Sequence, residues 1–210
     1  MPWDVTYDDN AGDGLRGWID DNVGDDEFNK RVVITPQKSG NAIDKPSVLA
    51  TLARNAPWHG SRSPGPSRHG LVVSAGPREP QLQQCISRAH DATLIVSQWG
   101  DHLKFDGWAT AVGAFNAATG EATRPVDKEL DEEFRYLPMS SREIGESTKR
   151  GPQRGIPQSS MSTFKQAGLT EDLVVTYCIG LGYRGDHEDL RKHYQAAGGG
   201  GPNADRSRRW

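Results

Sequence analysis

The sequence predicts an α/β fold: a small, mostly parallel sheet of three or four strands flanked by helices, with a helical hairpin near the C-terminus. Two observations carry this prediction. Residues 71–73 and 93–96 are short apolar runs rich in β-branched side chains, as expected for strands buried on both faces of a parallel sheet. Each run is followed by apolar residues at helical spacing, which is typical of a β-α-β-α unit.

The two helices of this unit have well-defined apolar faces. The first face contains Leu82, Cys85, Ile86 and Ala89, at positions i, i+3, i+4 and i+7. The second face has the same spacing and contains Trp108, Ala111, Val112 and Phe115. Asp106 is the expected N-cap of this second helix, and Gly120 is the residue expected just past its end.

A third strand and helix precede this unit in the chain. Residues 31–35 are apolar and β-branched, and they predict the first strand. Asp44 is the expected cap of the following helix, and Pro46 is tolerated in its first turn. The apolar face of this helix contains Val48, Leu49, Leu52 and Ala53. Three β-α pairs in succession favour a parallel sheet with right-handed crossovers.

Charge and composition divide the chain further. Residues 1–29 contain nine acidic residues and one basic residue, a net charge of −8, which leaves +5 for the remaining chain. Leu, Ile, Val and Phe are too few for a uniformly packed globule of this length. We therefore predict a flexible acidic arm (1–29), an α/β core (30–137), a polar loop (138–160), a helical hairpin (161–197) and a flexible basic tail (198–210).

Two smaller features complete this division. Residues 59–69 are rich in Ser, Pro, Gly and basic residues, and we predict a linker too polar to pack. At the end of the core, Leu130, Phe134 and Leu137 predict a short helix with Asp127 as its cap.

The cysteines and the absence of targeting segments bear on the compartment. Cys85 and Cys178 form neither a C-x-x-C pair nor a disulfide framework, and both lie among apolar residues, so we predict two buried core thiols. No signal peptide, long apolar run or N-x-S/T site is present in the sequence. The expected location is the cytoplasm.

Residues 180–185 (GLGYRG) match the glycine pattern of dinucleotide-binding turns. The context is missing, because four glycines rather than a second strand follow the next helical segment. We prefer a helix that has Thr170 as N-cap and ends at Gly182. A DNA-binding helix-turn-helix centred on Gly182 fails in its second half, where Glu188 and Arg191 occupy positions that need apolar residues.

Other catalytic and metal-binding patterns are missing from the sequence. His187 and His193 are six residues apart, so they point to different sides of a helix and do not form the H-E-x-x-H zinc motif. Neither a G-x-S-x-G elbow nor a P-loop is present. We predict no metal, no cofactor and no catalytic residue.

The candidate binding residues follow from position rather than from a motif. In open parallel sheets, ligands bind outside the carboxyl ends of the strands. The turn 74–78 precedes a helix start, where amide groups and a basic side chain suit an anion. The turn 97–102 provides an aromatic ring, an acid and an imidazole. The candidates are Ser74, Gly76, Arg78, Trp99, Asp101 and His102.

Two segments also carry a resemblance to known sequences. These are the run from Trp108 to Gly120 (W-A-x-A-x-G-A-x-N-x-x-T-G) and the run from Gly168 to Val175 (G-L-x-x-D-L-V-V). Together with the strands before them, they resemble a group of uncharacterised actinobacterial α/β proteins. The resemblance covers about half of the chain. It implies the α/β fold and no particular activity.

Three functions remain open on this basis. The preferred hypothesis is a non-catalytic cytoplasmic binding or regulatory module, with the acidic arm available to a basic surface or a protein partner. The first alternative is an enzyme or sensor that holds a phosphate-bearing small molecule at the strand-end turns. The second alternative is a DNA-binding protein that uses residues 138–195 and the arginine tail. No interaction with a membrane is expected.

Overall fold

The computed structural model describes residues 10–35, 48–60, 70–89, 91–98, 105–117, 119–137 and 158–198. These residues form two compact units. The first unit contains the described residues up to position 98 together with Phe115–Ala122. The second contains residues 105–114 and the described residues from 123 onward. The predicted α/β class is confirmed.

Within its described residues, the first unit contains a parallel sheet, four helices and a short hairpin. The helices are α1 (Asn10–Asn22), α2 (Asp25–Asn29), α3 (Val48–Ala53) and α4 (Glu79–Arg88). The sheet strands are β1 (Val32–Thr35), β2 (Trp58–Gly60), β3 (Leu71–Ala75) and β4 (Thr93–Ser97). The antiparallel hairpin strands are β5 (Phe115–Asn116) and β6 (Glu121–Ala122).

The sheet has the strand order β2-β1-β3-β4, and all neighbouring strands are parallel. In the register, Val33 lies beside Trp58 on one side and Val73 on the other. The predicted strands β1, β3 and β4 are confirmed. Strand β2 was not expected, and two of its residues come from the segment 59–69 that we predicted to be an unpacked linker.

Apolar side chains cover both faces of the sheet, as the β-branched runs predicted. One face is buried against α1, α2 and α3, and its cluster includes Val33, Val73, Ile95 and Leu52. The other face is buried against α4, and its cluster includes Val32, Ile34, Val72 and Cys85. Because successive strand residues point to opposite faces, one short run of valines supplies both layers of the core.

The N-terminal segment corrects the prediction of an acidic arm outside the core. Residues 10–29 form α1 and α2, and the side chains of Ile19, Val23 and Phe28 are buried in the first cluster. The acidic residues obscured an amphipathic pattern, because they occupy the opposite side of the same helices. Residues 1–9 lie outside the described part of the chain.

Arg31, immediately before β1, fastens α2 and α3 to the sheet. Its Nε donates to the carbonyl of Leu52 at 2.7 Å, Nη1 to that of Phe28 at 2.9 Å and Nη2 to that of Arg54 at 2.5 Å. The guanidinium also lies 4.1 Å from the centre of the Phe28 ring. The carbonyls of Phe28 and Leu52 belong to the last turns of α2 and α3, and that of Arg54 follows α3 directly, so all three lie where the helix dipole favours a cation.

The second unit is helical throughout its regular elements within the described residues. Its helices are α5 (Asp106–Val112), α6 (Lys128–Arg135), α7 (Gln158–Gln166), α8 (Glu171–Gly180) and α9 (His187–Ala196). In its core, the ring of Phe134 stacks on Phe164 and on Tyr177, with centroid distances of 4.0 and 4.1 Å. The hydroxyl of Tyr177 donates to Asp131 at 2.7 Å.

Helix α5 is shorter than predicted, and this corrects the role of Phe115. Gly113 adopts a left-handed φ of +61° and ends the helix, with Phe105 rather than Asp106 at the N-cap. Phe115 therefore lies in β5 and is 46 % exposed, instead of continuing the apolar face beside Trp108. The helical spacing continued in the sequence past the glycine that terminates the helix.

Helices α5 and α8 approach closely through glycines. A Cβ on Gly107 would collide with the carbonyl oxygen of Leu173, and one on Gly180 would lie 2.6 Å from the Cβ of Ala111. Since real Cβ atoms do not approach this closely, both positions require glycine. Gly180 is thus a packing residue of the second unit.

The C-terminal hairpin of α8 and α9 is confirmed. The hydroxyl of Thr170 accepts from the amide of Leu173, which confirms the predicted cap of α8. The carboxylate of Asp186 accepts from the amide of Glu188 and caps α9 in the same way. Gly182 has a φ of +99° and ends α8. The amide of Gly182 donates to the carbonyl of Ile179, and that of Tyr183 to the carbonyl of Cys178, which is the Schellman pattern.

Other predicted segments are partly covered by the described residues. Helix α7 begins at Gln158, inside the predicted polar loop 138–160, and Ser160 and Met161 are buried. The helix over residues 128–135 is confirmed, as is the buried face of α3. Asp44, Pro46, residues 138–157 and residues 199–210 lie outside the described part.

Candidate functional site

The strand order places a change of direction in the sheet between β1 and β3. From β1 the chain passes through α3 to β2 on one side, and from β3 it passes through α4 to β4 on the other. Helices α3 and α4 cover opposite faces, as two crossovers of the same hand require. In open parallel sheets, the carboxyl ends of the two strands at such a switch flank the crevice that binds ligands.

The turn after β3 lies at this switch and is rigidly held. Gly76 has a left-handed φ of +56°, and its amide donates to the carbonyl of Ser97 at 2.8 Å, which links the ends of β3 and β4. Arg78 is the extended N-cap of α4, and its amide donates to the side chain of Gln81 at 2.6 Å. Only glycine accommodates the first of these conformations without strain.

The backbone amides nearest the turn are not available to an anion. The amides of Gly76 and Arg78 already have intramolecular acceptors, and Pro77 and Pro80 have no amide hydrogen. The guanidinium of Arg78, by contrast, is exposed and makes no ion pair within the described part of the chain. A charged side chain on a rigid turn is thus the feature that suits an anion here.

Ser74, the third predicted residue of this edge, lies in β3, and the structure places it beneath the surface. It is 1 % exposed, and its hydroxyl accepts a hydrogen bond from the thiol of Cys85 on α4 at 3.2 Å. Burial raises the pKa of the Cys85 thiol, so this sulfur stays protonated. The pair fastens α4 to β3 rather than facing a ligand.

The structure thus brings Ser74, Gly76 and Arg78 to the switch edge, where Ser74 is buried in β3 and the side chain of Arg78 is exposed. Trp99, Asp101 and His102 lie outside the described residues. Neighbouring strand β4 ends at Ser97, whose carbonyl accepts from Gly76. The contribution of β1 to this edge ends, for the described residues, at the buried Thr35.

The C-terminal motifs have structural roles. Arg191 of α9 is only 16 % exposed, and it donates to Glu171 and Asp172 at 2.8 Å each, across to the first turn of α8. This ion-pair cluster explains a charged residue at a position where a helix-turn-helix reader needs an apolar one.

Within the residues that the structure describes, no group of three or more His, Cys, Asp or Glu side chains is arranged to hold a metal ion. In the same part of the chain, no helix combines the length and the apolar character needed to cross a bilayer.

Comparison with protein-family models, with curated proteins and with solved structures finds no match to this chain. The resemblance to actinobacterial α/β proteins therefore stays a prediction.

Proposed function

We propose that this chain is a non-catalytic cytoplasmic binding module that holds a small anionic molecule at the switch between β1 and β3. The observation that supports this most directly is the strand order β2-β1-β3-β4 with its crossover helices on opposite faces. At such a change of direction in the strand order, open parallel sheets bind their ligands.

An anion fits the chemistry of this edge. Arg78 presents a guanidinium, which pairs with carboxylate or phosphate through two parallel hydrogen bonds. It stands at the N-terminus of α4, a helix of ten residues whose dipole also favours negative charge. The fixed turn positions the arginine before the ligand arrives, which lowers the ordering cost of binding.

Binding is favoured over catalysis because the two potential nucleophiles near this turn, Ser74 and Cys85, are buried. Ser74 and Cys85 bond to each other in the core, and burial raises the pKa of the thiol. An activated nucleophile needs an accessible atom and a neighbouring base. In the described part of this edge, the side chain of Arg78 can bind a ligand. The hydroxyl of Ser74 and the thiol of Cys85 are both buried.

The proposal is tested by titrating inorganic phosphate and adenosine monophosphate into the protein while the melting temperature is recorded. We expect a saturable rise for the wild type and about tenfold weaker binding for Arg78→Ala, because a charge-assisted pair is lost. Arg184→Ala removes another exposed arginine, in the second unit, and serves as the matched control. Equal binding by wild type and Arg78→Ala, or no saturable response to either anion, would overturn the proposal.

A further inference from the structure

A second concave surface lies in the first unit, far along the chain from the strand-end turn. A groove of about 500 Å³ separates α1 from the β5–β6 hairpin. Residues 14, 17, 18 and 21 line its helical wall, at positions i, i+3, i+4 and i+7, so they form one continuous stripe of α1. We refer to this space as the α1 groove.

Two glycines of α1 leave the wall of the α1 groove open. A Cβ on Gly17 would have no heavy atom within 4 Å, so the glycine is not required by packing. Glycine in a helix interior is unfavourable compared with alanine. Gly17 therefore weakens the helix at a position where its evident structural effect is to keep the groove open.

Aromatic rings form the apolar part of the α1 groove. Trp18 packs partly against the core, and its ring stacks on that of Phe115 with a centroid distance of 6.3 Å and an interplanar angle of 23°. Phe115 remains 46 % exposed in this position. An exposed aromatic face attracts an organic cation through its π-electrons.

The charge of the surrounding surface selects the same kind of ligand. Asp21 lines the groove and makes no ion pair within the described part of the chain, whereas Asp20 pairs with Arg16 and Asp26 with Lys30. Two further exposed carboxylates are Asp13 on α1 and Asp25 on α2. Aromatic rings beside an unpaired carboxylate complement a cation that also has an apolar stem.

We propose that the α1 groove binds a lysine or arginine side chain from a basic segment of a partner protein. The aliphatic stem lies against Trp18 and Phe115, and the charged end reaches Asp21. The surrounding carboxylates of α1 and α2 attract the rest of the basic segment over a longer range. This site is independent of the anion site proposed at Arg78.

The test is a fluorescence-polarisation titration of the full chain with a labelled peptide in which arginines and lysines alternate with glycine and serine. We expect saturable binding that weakens with salt, and about tenfold weaker binding for Asp21→Asn. Asp25→Asn removes the same charge outside the groove, so its affinity should stay within about twofold of the wild type. Equal losses for both variants would overturn the groove as the binding site.

Two further variants separate the groove from general electrostatic attraction. Gly17→Leu fills the open wall, where an added Cβ would meet no heavy atom within 4 Å, and it should abolish peptide binding while the circular dichroism spectrum is kept. Phe115→Leu should weaken binding, and Tyr136→Leu, an exposed aromatic residue of the second unit, should not. Full binding by a folded Gly17→Leu variant, absence of peptide binding by the wild type, or saturable binding of a neutral oligosaccharide in its place would contradict the proposal.

Discussion

At the scale of single residues, the structure gives uncommon side chains and glycines specific local tasks. Arg31 supplies three hydrogen bonds to helix-end carbonyls from a nearly buried position. Gly182 turns the chain at the end of α8, and Gly180 allows α5 to approach. None of these three residues belongs to either proposed binding site. Replacing any of them should therefore lower the free energy of unfolding.

Gly182 provides the first prediction. Gly182→Ala should lower the free energy of unfolding by about 1 kcal/mol, because alanine is strained at a φ of +99° although there is open space around its Cβ. Urea unfolding followed by circular dichroism measures the change. We also expect no measurable affinity of the wild type for NAD or NADP. Micromolar binding of either cofactor that is lost in Gly182→Ala would mean that the glycines form a dinucleotide site after all.

Arg31 provides the second. Arg31→Met keeps much of the side-chain volume but leaves three helix-end carbonyls without their donor, so we expect a loss of at least about 3 kcal/mol. Lys30→Met, at a neighbouring exposed residue, is the control and should change stability by less than about 0.5 kcal/mol. Equal unfolding free energies for the two variants would show that the carbonyls find other partners.

At the scale of helices and strands, the sequence was informative where apolar patterns were uninterrupted. Strands β1, β3 and β4 follow from β-branched runs, and the end of α8 follows from its cap and glycine. Strand β2 was missed because Trp58–Gly60 has no such run and gains its place only by pairing with β1. Helices α1 and α2 were missed because their acidic residues outnumber the few apolar ones that are buried.

The candidate site was predictable to the same degree. The rule that ligands bind at strand ends selected Ser74, Gly76 and Arg78, which the structure places at the end of β3 and the start of α4. The burial of Ser74 and the partners of the turn amides depend on how α4 and β4 pack, which no local pattern encodes. The α1 groove could not be predicted from sequence at all, since it needs α1 and a hairpin about a hundred residues later in the chain.

The contact between α5 and α8 provides a prediction at this scale. Gly180→Ala should lower the free energy of unfolding by about 1–3 kcal/mol, because its methyl group would press on Ala111. Gly17→Ala is the matched control: it adds the same methyl group to a helix in open space, and it should raise stability by about 0.5–1 kcal/mol. Chemical denaturation of both variants gives the two signs, and a shared sign would contradict the packing described here.

At the scale of the whole molecule, the acidic N-terminal segment belongs to the core of the first unit. Removal of residues 1–29 should therefore unfold the first unit. A flexible arm, which the acidic composition predicted, could be removed without this loss. Ile19→Ala alone should cost about 2–5 kcal/mol, since this side chain is completely buried. Thermal unfolding measures both changes, and a truncated chain with the melting temperature of the full chain would refute the assignment.

The pH dependence of stability is a second property of the whole molecule. Burial raises the pKa of Tyr177, Tyr183 and Tyr194, and raises that of the Cys178 thiol to about 12. The unfolded chain releases these protons first as pH rises, so stability is complete below the ordinary values and falls above them. We expect a lower urea midpoint at about pH 10.5 than at about pH 8. Tyr177→Phe should flatten this slope, and an unchanged midpoint across the range would argue against buried phenols.

The hairpin β5–β6 has a consequence for synthesis on the ribosome. The chain begins the second unit with α5 and then returns to the first unit for residues 115–122. The sheet strands are therefore all translated before the segment that completes their unit has been made. Until that segment leaves the exit tunnel, the ring of Trp18 on α1 lacks its stacking partner, Phe115. A nascent chain that ends near residue 110 would therefore expose apolar surface that chaperones bind.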